Sequence, residues 1–187
     1  MIGYAICASF CTIRQSLEQM RRLQSEGYDI LPIVSESTYA YDTRFQSASE
    51  VRERIREITG RSPLHTIVET EPLGPRIHLD ALIVAPITGN TLAKVAGGIT
   101  DGAVTMAIKA HLRSDRPTLF ALASNDALSQ NLASIARLLT RKSVYFVPMH
   151  QDDPEKKPHS LVADFERIPE ALRRALAGEQ MRPLFLS

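Results

Sequence analysis

The chain has 187 residues, of which 44% are hydrophobic and 23% are charged, so it can form one domain with a substantial core but not two ordinary domains. Lysine and arginine number 22 against 21 acidic residues, and a formal charge of +1 provides no basic excess for binding nucleic-acid phosphates. No apolar stretch approaches the roughly 20 residues of a membrane-spanning helix, and the first residues lack the basic region of a signal peptide. We therefore expect a cytoplasmic protein that binds neither nucleic acid nor membrane.

Apolar runs of strand length alternate with stretches that have the 3.6-residue period of a helix. Strands are predicted, in chain order, at residues 2–7, 30–34, 65–68, 81–85, 118–123 and 144–147. Helices are predicted to begin near residues 13, 47, 91, 100, 128 and 169. Residues 35–46 have no period, which indicates a loop. The alternation predicts an α/β fold, a Rossmann-like doubly wound parallel sheet of about six strands with helices on both faces.

The whole chain, residues 1–187, is expected to form a single domain, because no linker or repeat divides it. Residues 149–163 are charged and contain Pro154 and Pro158, so we predict a flap or a partner-binding segment there. A C-terminal helix is predicted over residues 168–178.

The sequence contains no motif for a metal site or for nucleophilic catalysis. Cys7 and Cys11 match neither a C-x-x-C redox motif nor a zinc-knuckle spacing, and both are interpreted as packing residues in a reducing compartment. The five histidines accompany no H-E-x-x-H or G-x-S-x-G motif. A dinucleotide cofactor is disfavoured because G-x-G-x-x-G is missing, and Walker A is also absent.

Small polar residues follow four of the predicted strands, where ligands of doubly wound sheets bind. Hydroxyl groups and free backbone N–H groups at a helix N-terminus suit a phosphate, because both supply hydrogen-bond donors. Each polar residue could instead cap the helix that follows it. The sequence predicts a phosphorylated ligand, and the candidate residues are Ser9, Thr12, Ser35, Thr88, Gly89, Asn90, Thr91, Ser124 and Asn125.

Residues 85–101, APITGNTLAKVAGGITD, resemble the P-x-S-x-N-T motif and following helix of the flavoprotein family, which includes the oligomeric flavin-containing cysteine decarboxylases. The resemblance continues over nearly the whole chain, at residues 8–12, 42–45, 71–75, 124–128 and 151–158. It implies a Rossmann-like fold, assembly as a trimer or a multiple of trimers, and flavin mononucleotide (FMN) bound near subunit contacts.

By the same resemblance, Ser9 and Ser35 hold the FMN phosphate, residues 88–91 line the ring side, and Ser124 and Asn125 complete the pocket. The sequence departs from the family at two positions. Relatives often have glycine where Ala8 stands, and the decarboxylases have a catalytic histidine where we align Pro72. The second departure implies that cysteine decarboxylation lacks its base.

Within the family, the resemblance implies a subunit of an oxidoreductase that acts on a small dicarboxylic acid, with NADP or NAD held by a second, different subunit. Arg44 and Lys94 are candidates for holding the substrate carboxylates, although either could be solvated surface charge. Two alternatives remain open: an FMN-dependent decarboxylase or oxidoreductase that acts alone, and a structural or regulatory partner without a cofactor.

Overall fold

The computed structural model describes residues 1–186. Its strands are β1 (Ile2–Ile6), β2 (Ile30–Val34), β3 (Leu82–Thr88), β4 (Thr118–Ser124), β5 (Val144–Phe146), β6 (Met149–His150) and β7 (Leu161–Ala163). Its helices are α1 (Ile13–Ser25), α2 (Glu36–Ala40), α3 (Ala48–Thr59), α4 (Ile67–Thr70), α5 (Gly89–Gly97), α6 (Ala103–Leu112), α7 (Leu132–Leu139) and α8 (Ile168–Leu176), and a 3-10 turn (Phe165–Arg167) precedes α8. Over these residues no helix combines the length and apolar character needed to cross a bilayer.

The strands form one sheet in the order β2-β1-β3-β4-β7-β6, and β5 pairs with the first half of β4. Strands β1 to β5 are parallel, which confirms the predicted doubly wound α/β fold. Strand β7 runs antiparallel to the end of β4, and β6 runs antiparallel to β7. Residues 149–163 therefore begin and end as sheet strands, and Met149 also forms a bridge with Phe185. The short strands β6 and β7 follow the strand that the sequence predicts as the last one.

The strand predicted at residues 65–68 is wrong. Residues 67–70 form α4 instead, and Thr66 caps this helix in a capping box with Glu69. Only Leu64 pairs with the sheet, through a single bridge to Ile33. The local hydrogen bonds of the capping box therefore outweigh the strand preference of the apolar pair inside it.

The loop predicted at residues 35–46 is interrupted by the short helix α2. The Ser35 hydroxyl accepts a hydrogen bond from the Thr38 N–H at 3.3 Å and so caps this helix. One turn of helix has no room for an apolar period, which is why sequence periodicity misses it.

Alternate residues of β1 supply the two halves of the core, one on each face of the sheet. Ile2, Tyr4 and Ile6 pack beneath α1, α3 and α8, whereas Ala5 and Cys7 pack beneath α5, α6 and α7. Burial raises the pKa of the Cys7 thiol to about 11, so this cysteine is a packing residue, as predicted. The same interpretation is wrong for Cys11, which is exposed in the turn before α1.

A buried hydrogen-bond chain fixes α1 against the middle of the sheet. The Tyr4 hydroxyl donates to the Ser16 carbonyl oxygen at 2.9 Å, and the Ser16 hydroxyl donates to the Ala85 carbonyl oxygen on β3. Because all three residues are buried, these contacts hold the start of α1 beside the carboxyl ends of the central strands.

His111 on α6 is completely buried and is held in its neutral form. Its Nε2 lies 3.0 Å from the Pro117 carbonyl oxygen and donates to it, which leaves Nδ1 as the unprotonated nitrogen. Nδ1 is buried without a hydrogen-bond partner among residues 1–186, so a proton added there would have no acceptor. Burial therefore lowers the pKa of His111 from its usual value of 6.5.

We expect His111 to make the fold acid-sensitive. The unfolded chain binds a proton at this histidine near pH 6.5 and the folded chain does not, so the free energy of unfolding should fall as the pH drops below about 6.5. Urea denaturation at pH values from about 7 to about 5.5 should show a steeper loss for the native chain than for His111→Gln. Parallel pH profiles for the two proteins would contradict the assignment.

Candidate functional site

Two separate polar cavities lie at the carboxyl edge of the parallel sheet. One, of about 520 Å³, opens between the start of α1, the end of β4 and the β6–β7 connection, and we call it the β1/β4 cavity. The other, of about 140 Å³, lies between the ends of β2 and β3 and the start of α6, and we call it the β2/β3 cavity. The edge of the sheet at which the sequence predicts a ligand thus contains two cavities.

The residues predicted from sequence divide between these compartments. The β1/β4 cavity brings together Ser9, Thr12, Ser124 and Asn125. The β2/β3 cavity brings together Ser35, Thr88, Asn90, Thr91 and Lys94. Gly89 and Arg44 line neither cavity. Within residues 1–186 the predicted residues are thus shared between two cavities at the same edge of the sheet.

The start of α1 presents free hydrogen-bond donors to the β1/β4 cavity. Thr12 is the N-cap residue, but its side chain makes no capping hydrogen bond. It donates instead toward the Ser9 carbonyl oxygen at 3.0 Å and the Ser9 hydroxyl oxygen at 3.2 Å. The hydroxyl hydrogen of Ser9 and the first N–H groups of α1 thus remain available to an anion.

The β2/β3 cavity is already occupied by the chain's own charges. The Glu36 carboxylate accepts a hydrogen bond from the Ala103 N–H at 2.7 Å, so it fills the anion-binding position at the start of α6. Lys94 forms an ion pair with Asp101 at 2.7 Å. A phosphate or carboxylate entering this cavity would meet a resident carboxylate and a lysine that already has a partner.

Two of the hydroxyls in the β2/β3 cavity act as helix caps. Ser35 caps α2, and the Thr88 hydroxyl accepts from the Thr91 N–H at 3.2 Å to cap α5. The sequence analysis left open that these two residues cap helices, and their geometry shows this role.

Arg44 lies outside both cavities, with its guanidinium 4.8 Å from the centre of the Phe45 ring. Phe45 lines a third, open cavity of about 570 Å³ between α1 and α3. Cys11, in the turn after β1, lines both this cavity and the β1/β4 cavity. Arg44 itself lines neither.

One residue of the β1/β4 cavity, Gln19, escapes sequence reasoning. Gln19 belongs to α1, is 8% exposed, and its Oε1 is buried without a partner in the part of the chain described. Lys157 reaches the cavity from the β6–β7 connection and pairs with Asp152 at 2.6 Å. Nothing in the helical period marks Gln19 as buried, because its burial depends on the segment that folds over α1 from far along the chain.

Asn90 is exposed at the start of α5, and Thr88 already caps this helix, so Asn90 is free to contact a ligand. We expect Asn90→Ala to lower ligand affinity or activity while leaving the melting temperature unchanged. Thr88→Ala is the matched control, and losing this cap should cost about 1 kcal/mol of stability. An Asn90→Ala protein that is less stable but retains its full activity per folded molecule would show that Asn90 has no ligand role.

The β1/β4 cavity offers hydrogen-bond donors of the kind that a phosphate requires. The Ser9 hydroxyl and the uncapped start of α1 supply them. Two acidic side chains of this cavity are paired within the chain, Asp152 with Lys157 and Asp164 with Arg167 at 2.8 Å, and Glu18 and Glu166 also line it. The free donors at the start of α1 make this cavity the better candidate for a phosphate.

Comparison with known proteins places this chain in a defined class. Residues 2–162 match the family model described as Flavoprotein, and the chain belongs to the flavoprotein family. It is 37% identical over 185 residues to the dipicolinate synthase B subunit of Bacillus subtilis (strain 168), covering 99% of this chain and 92% of that protein.

Solved structures agree with this relationship. The crystal structure of the dipicolinate synthase B subunit from Bacillus halodurans C superposes with a TM-score of 0.91 at 39% identity, covering 100% of this chain and 95% of that one. The FMN-dependent cysteine decarboxylase SpaF superposes with a TM-score of 0.71 at 21% identity, covering 94% of each chain. The second likeness shows a shared fold.

Pro72, which we align with the catalytic histidine of the decarboxylases, lines neither strand-end cavity. Two residues later Gly74 packs against the backbone of Ala110 in the last turn of α6. This turn lies near the start of β4, where His111 contacts Pro117, and therefore at the opposite edge of the sheet. Within one copy of the chain, Pro72 therefore lies apart from both strand-end cavities.

Proposed function

We propose that this chain is the FMN-binding subunit of a dipicolinate synthase. It would act with the nicotinamide-binding A subunit, which carries NADP or NAD, to oxidise a dihydrodipicolinate-type precursor to pyridine-2,6-dicarboxylate during spore formation. The observation that carries this proposal is the likeness to the dipicolinate synthase B subunit over 99% of the chain. The reaction belongs to the reducing cytoplasm, with which the two free cysteines are compatible.

The residues of the β1/β4 cavity have distinct roles in this proposal. When bound, FMN supplies a ring system that can accept and return a hydride. Ser9 and the first N–H groups of α1 donate to the phosphate, and Thr12 orients Ser9 through its hydrogen bonds to that residue. Gln19, Ser124 and Asn125 position the remainder of the cofactor. Thr88, Asn90 and Thr91 contact it only where it extends toward the β2/β3 cavity.

A coupled assay tests the reaction. Formation of pyridine-2,6-dicarboxylate is followed by its ultraviolet absorbance, with this chain alone, with its nicotinamide-binding partner alone and with both. We expect product only from the mixture, and a visible flavin spectrum for the purified chain. Product from the chain alone would favour an enzyme that acts by itself, and a chain that binds no flavin yet activates its partner would favour a structural or regulatory role.

We also propose that the chain forms a homo-oligomer, a trimer or a multiple of trimers. Large apolar side chains remain exposed on the α5 and α7 side of the sheet, where Ile99 is 52% exposed and Leu132 is 46% exposed. Burying such side chains between copies would remove apolar surface from water. The family resemblance implies the threefold number, so sedimentation of the purified chain should show a multiple of three.

The β6–β7 connection is proposed as the flap that binds the nicotinamide-binding partner. Within it, Lys157 pairs with Asp152, whereas Lys156 is exposed and has no ion-pair partner among residues 1–186. Charge pairs of both signs steer association and fix its register.

Reversing both lysines, Lys156→Glu with Lys157→Glu, should weaken binding of the nicotinamide-binding partner, more strongly at low salt because screening is weaker there. Calorimetric titration at two salt concentrations measures this effect. The control is Lys142→Glu, an exposed lysine paired with Asp115 outside the flap. Equal partner affinities in the native protein and the double variant would make the segment an ordinary surface loop.

A further inference from the structure

The face of the sheet that α5, α6 and α7 cover carries a groove with an apolar floor. Two adjoining cavities, of about 180 Å³ and about 300 Å³, form this groove, and Val95, Gly98 and Arg141 line both of them. Ile99 lines the first cavity and remains 52% exposed. We call this feature the α5/α7 groove. Its buried apolar lining residues are Val95, Ile108, Leu112 and Leu138.

Three cations line the α5/α7 groove, and no acidic side chain of residues 1–186 lines it. Lys109, Arg137 and Arg141 are exposed, and none of them forms an ion pair within the described part of the chain. Lys109 and Arg137 lie in the last turns of α6 and α7, where a positive charge stabilises a helix. This role explains the charges but leaves the apolar surface between them uncovered. The groove therefore fits an occupant that combines an apolar side chain with negative charge.

The same chain presents such an occupant on the short helix α4. Val68 is 82% exposed, the largest exposed fraction among the large apolar side chains at the surface of residues 1–186. Glu69 and Glu71 follow it, and both are exposed. Glu71 lies three residues after Val68 and has helical backbone angles, so both side chains project from the same side of the turn. We call Val68 with these two glutamates the α4 knob.

We propose that the α4 knob of one copy inserts Val68 into the α5/α7 groove of a second copy, where Glu71 meets the cations of the groove. Val68 does not fill the groove of its own chain, because it lines neither of the two cavities. The knob and the groove are different surfaces and each copy offers both, so the contact joins copies head to tail and closes them into a ring. This inference rests on the proposed homo-oligomer and identifies the two surfaces that meet in it.

Sedimentation of two variants tests the two surfaces separately. Val68→Glu places a charge on the knob, and Arg137→Glu with Arg141→Glu reverses the charge of the groove. All three side chains are exposed, so both variants should fold like the native chain, which circular dichroism checks. We expect each variant to sediment as a monomer. The matched control is Leu176→Glu, which should retain the native mass because this exposed apolar side chain belongs to α8, on the other face of the sheet.

An equimolar mixture of the two variants tests the head-to-tail direction. The Val68→Glu chain keeps an intact groove, and the Arg137→Glu, Arg141→Glu chain keeps an intact knob. One contact can therefore form between them, and the complex should stop at two copies because its remaining knob and groove are both defective. The mixture is sedimented at concentrations well above those at which the native chain assembles.

The possible results separate this inference from the proposed homo-oligomer. Retention of the native mass by either variant would overturn the inference and leave the homo-oligomer in place. Monomeric variants that fail to associate when mixed would also overturn it. A native chain that sediments as a monomer would overturn the proposed homo-oligomer, and this inference with it.

Discussion

Replacing Ser9 by aspartate should lower FMN affinity by at least about a hundredfold, because a second negative charge would lie within contact distance of the phosphate in a partly buried cavity. Ser9→Ala should have a smaller effect, since it removes one donor and adds no charge. Flavin fluorescence titration measures both affinities.

The control for the aspartate substitution is Ser49→Asp, which adds the same charge at the exposed start of α3 and should leave FMN binding unchanged. Riboflavin should bind Ser9→Asp with a smaller loss than FMN does. An unchanged FMN affinity in Ser9→Asp would remove the phosphate from the start of α1.

The second large effect is expected at Gly89. In Gly89→Ala the new methyl group would overlap the Ser124 hydroxyl and lie 2.7 Å from the Asn131 amide nitrogen and 2.8 Å from Asp126 Oδ1, so α5 or these side chains must move. We expect a loss of about 1–3 kcal/mol in the free energy of unfolding, as for other overpacked sites, together with weakened flavin binding. Urea denaturation and flavin titration measure the two effects.

Gly97→Ala, in the same helix, is a matched control for this substitution. A Cβ at Gly97 meets its nearest neighbours at 3.9 Å, which is ordinary contact. Because alanine favours helix more than glycine, this variant should be as stable as the native chain or slightly more stable. Equal stability of the two variants would show that the contacts around Gly89 yield easily.

The long parallel strands could be predicted because each is a continuous apolar run that the sheet buries on both faces. Strands β6 and β7 could not, since they have two and three residues and form only by pairing with β4 and each other. Around Val68 the sequence does contain the pattern of a helix start, but the apolar residues there led to the prediction of a strand. Thr66 and Glu69 have capping-box spacing, and Val68 is 82% exposed on the resulting helix.

The residue types of the candidate site could be predicted from the sequence. Their distribution between the β1/β4 cavity and the β2/β3 cavity could not. Small polar residues at strand ends mark the carboxyl edge, and that pattern is local in sequence. The β2/β3 cavity takes its character from Glu36, which reaches an N–H 67 residues further along the chain. No local pattern in the sequence predicts a contact over that separation.

Both margins of the sheet are already covered by short lengths of the chain. Beyond β2, Leu64 exchanges backbone hydrogen bonds with Pro32 and Val34. At the other margin the two-residue strand β6 is flanked by residues 184–186, whose backbone pairs with Met149. A neighbouring molecule therefore finds no long row of free backbone groups to extend, which protects against edge-to-edge aggregation. Copies of this chain must meet through side chains on their helices and loops, so substitutions there can change the number of copies without disturbing the sheet.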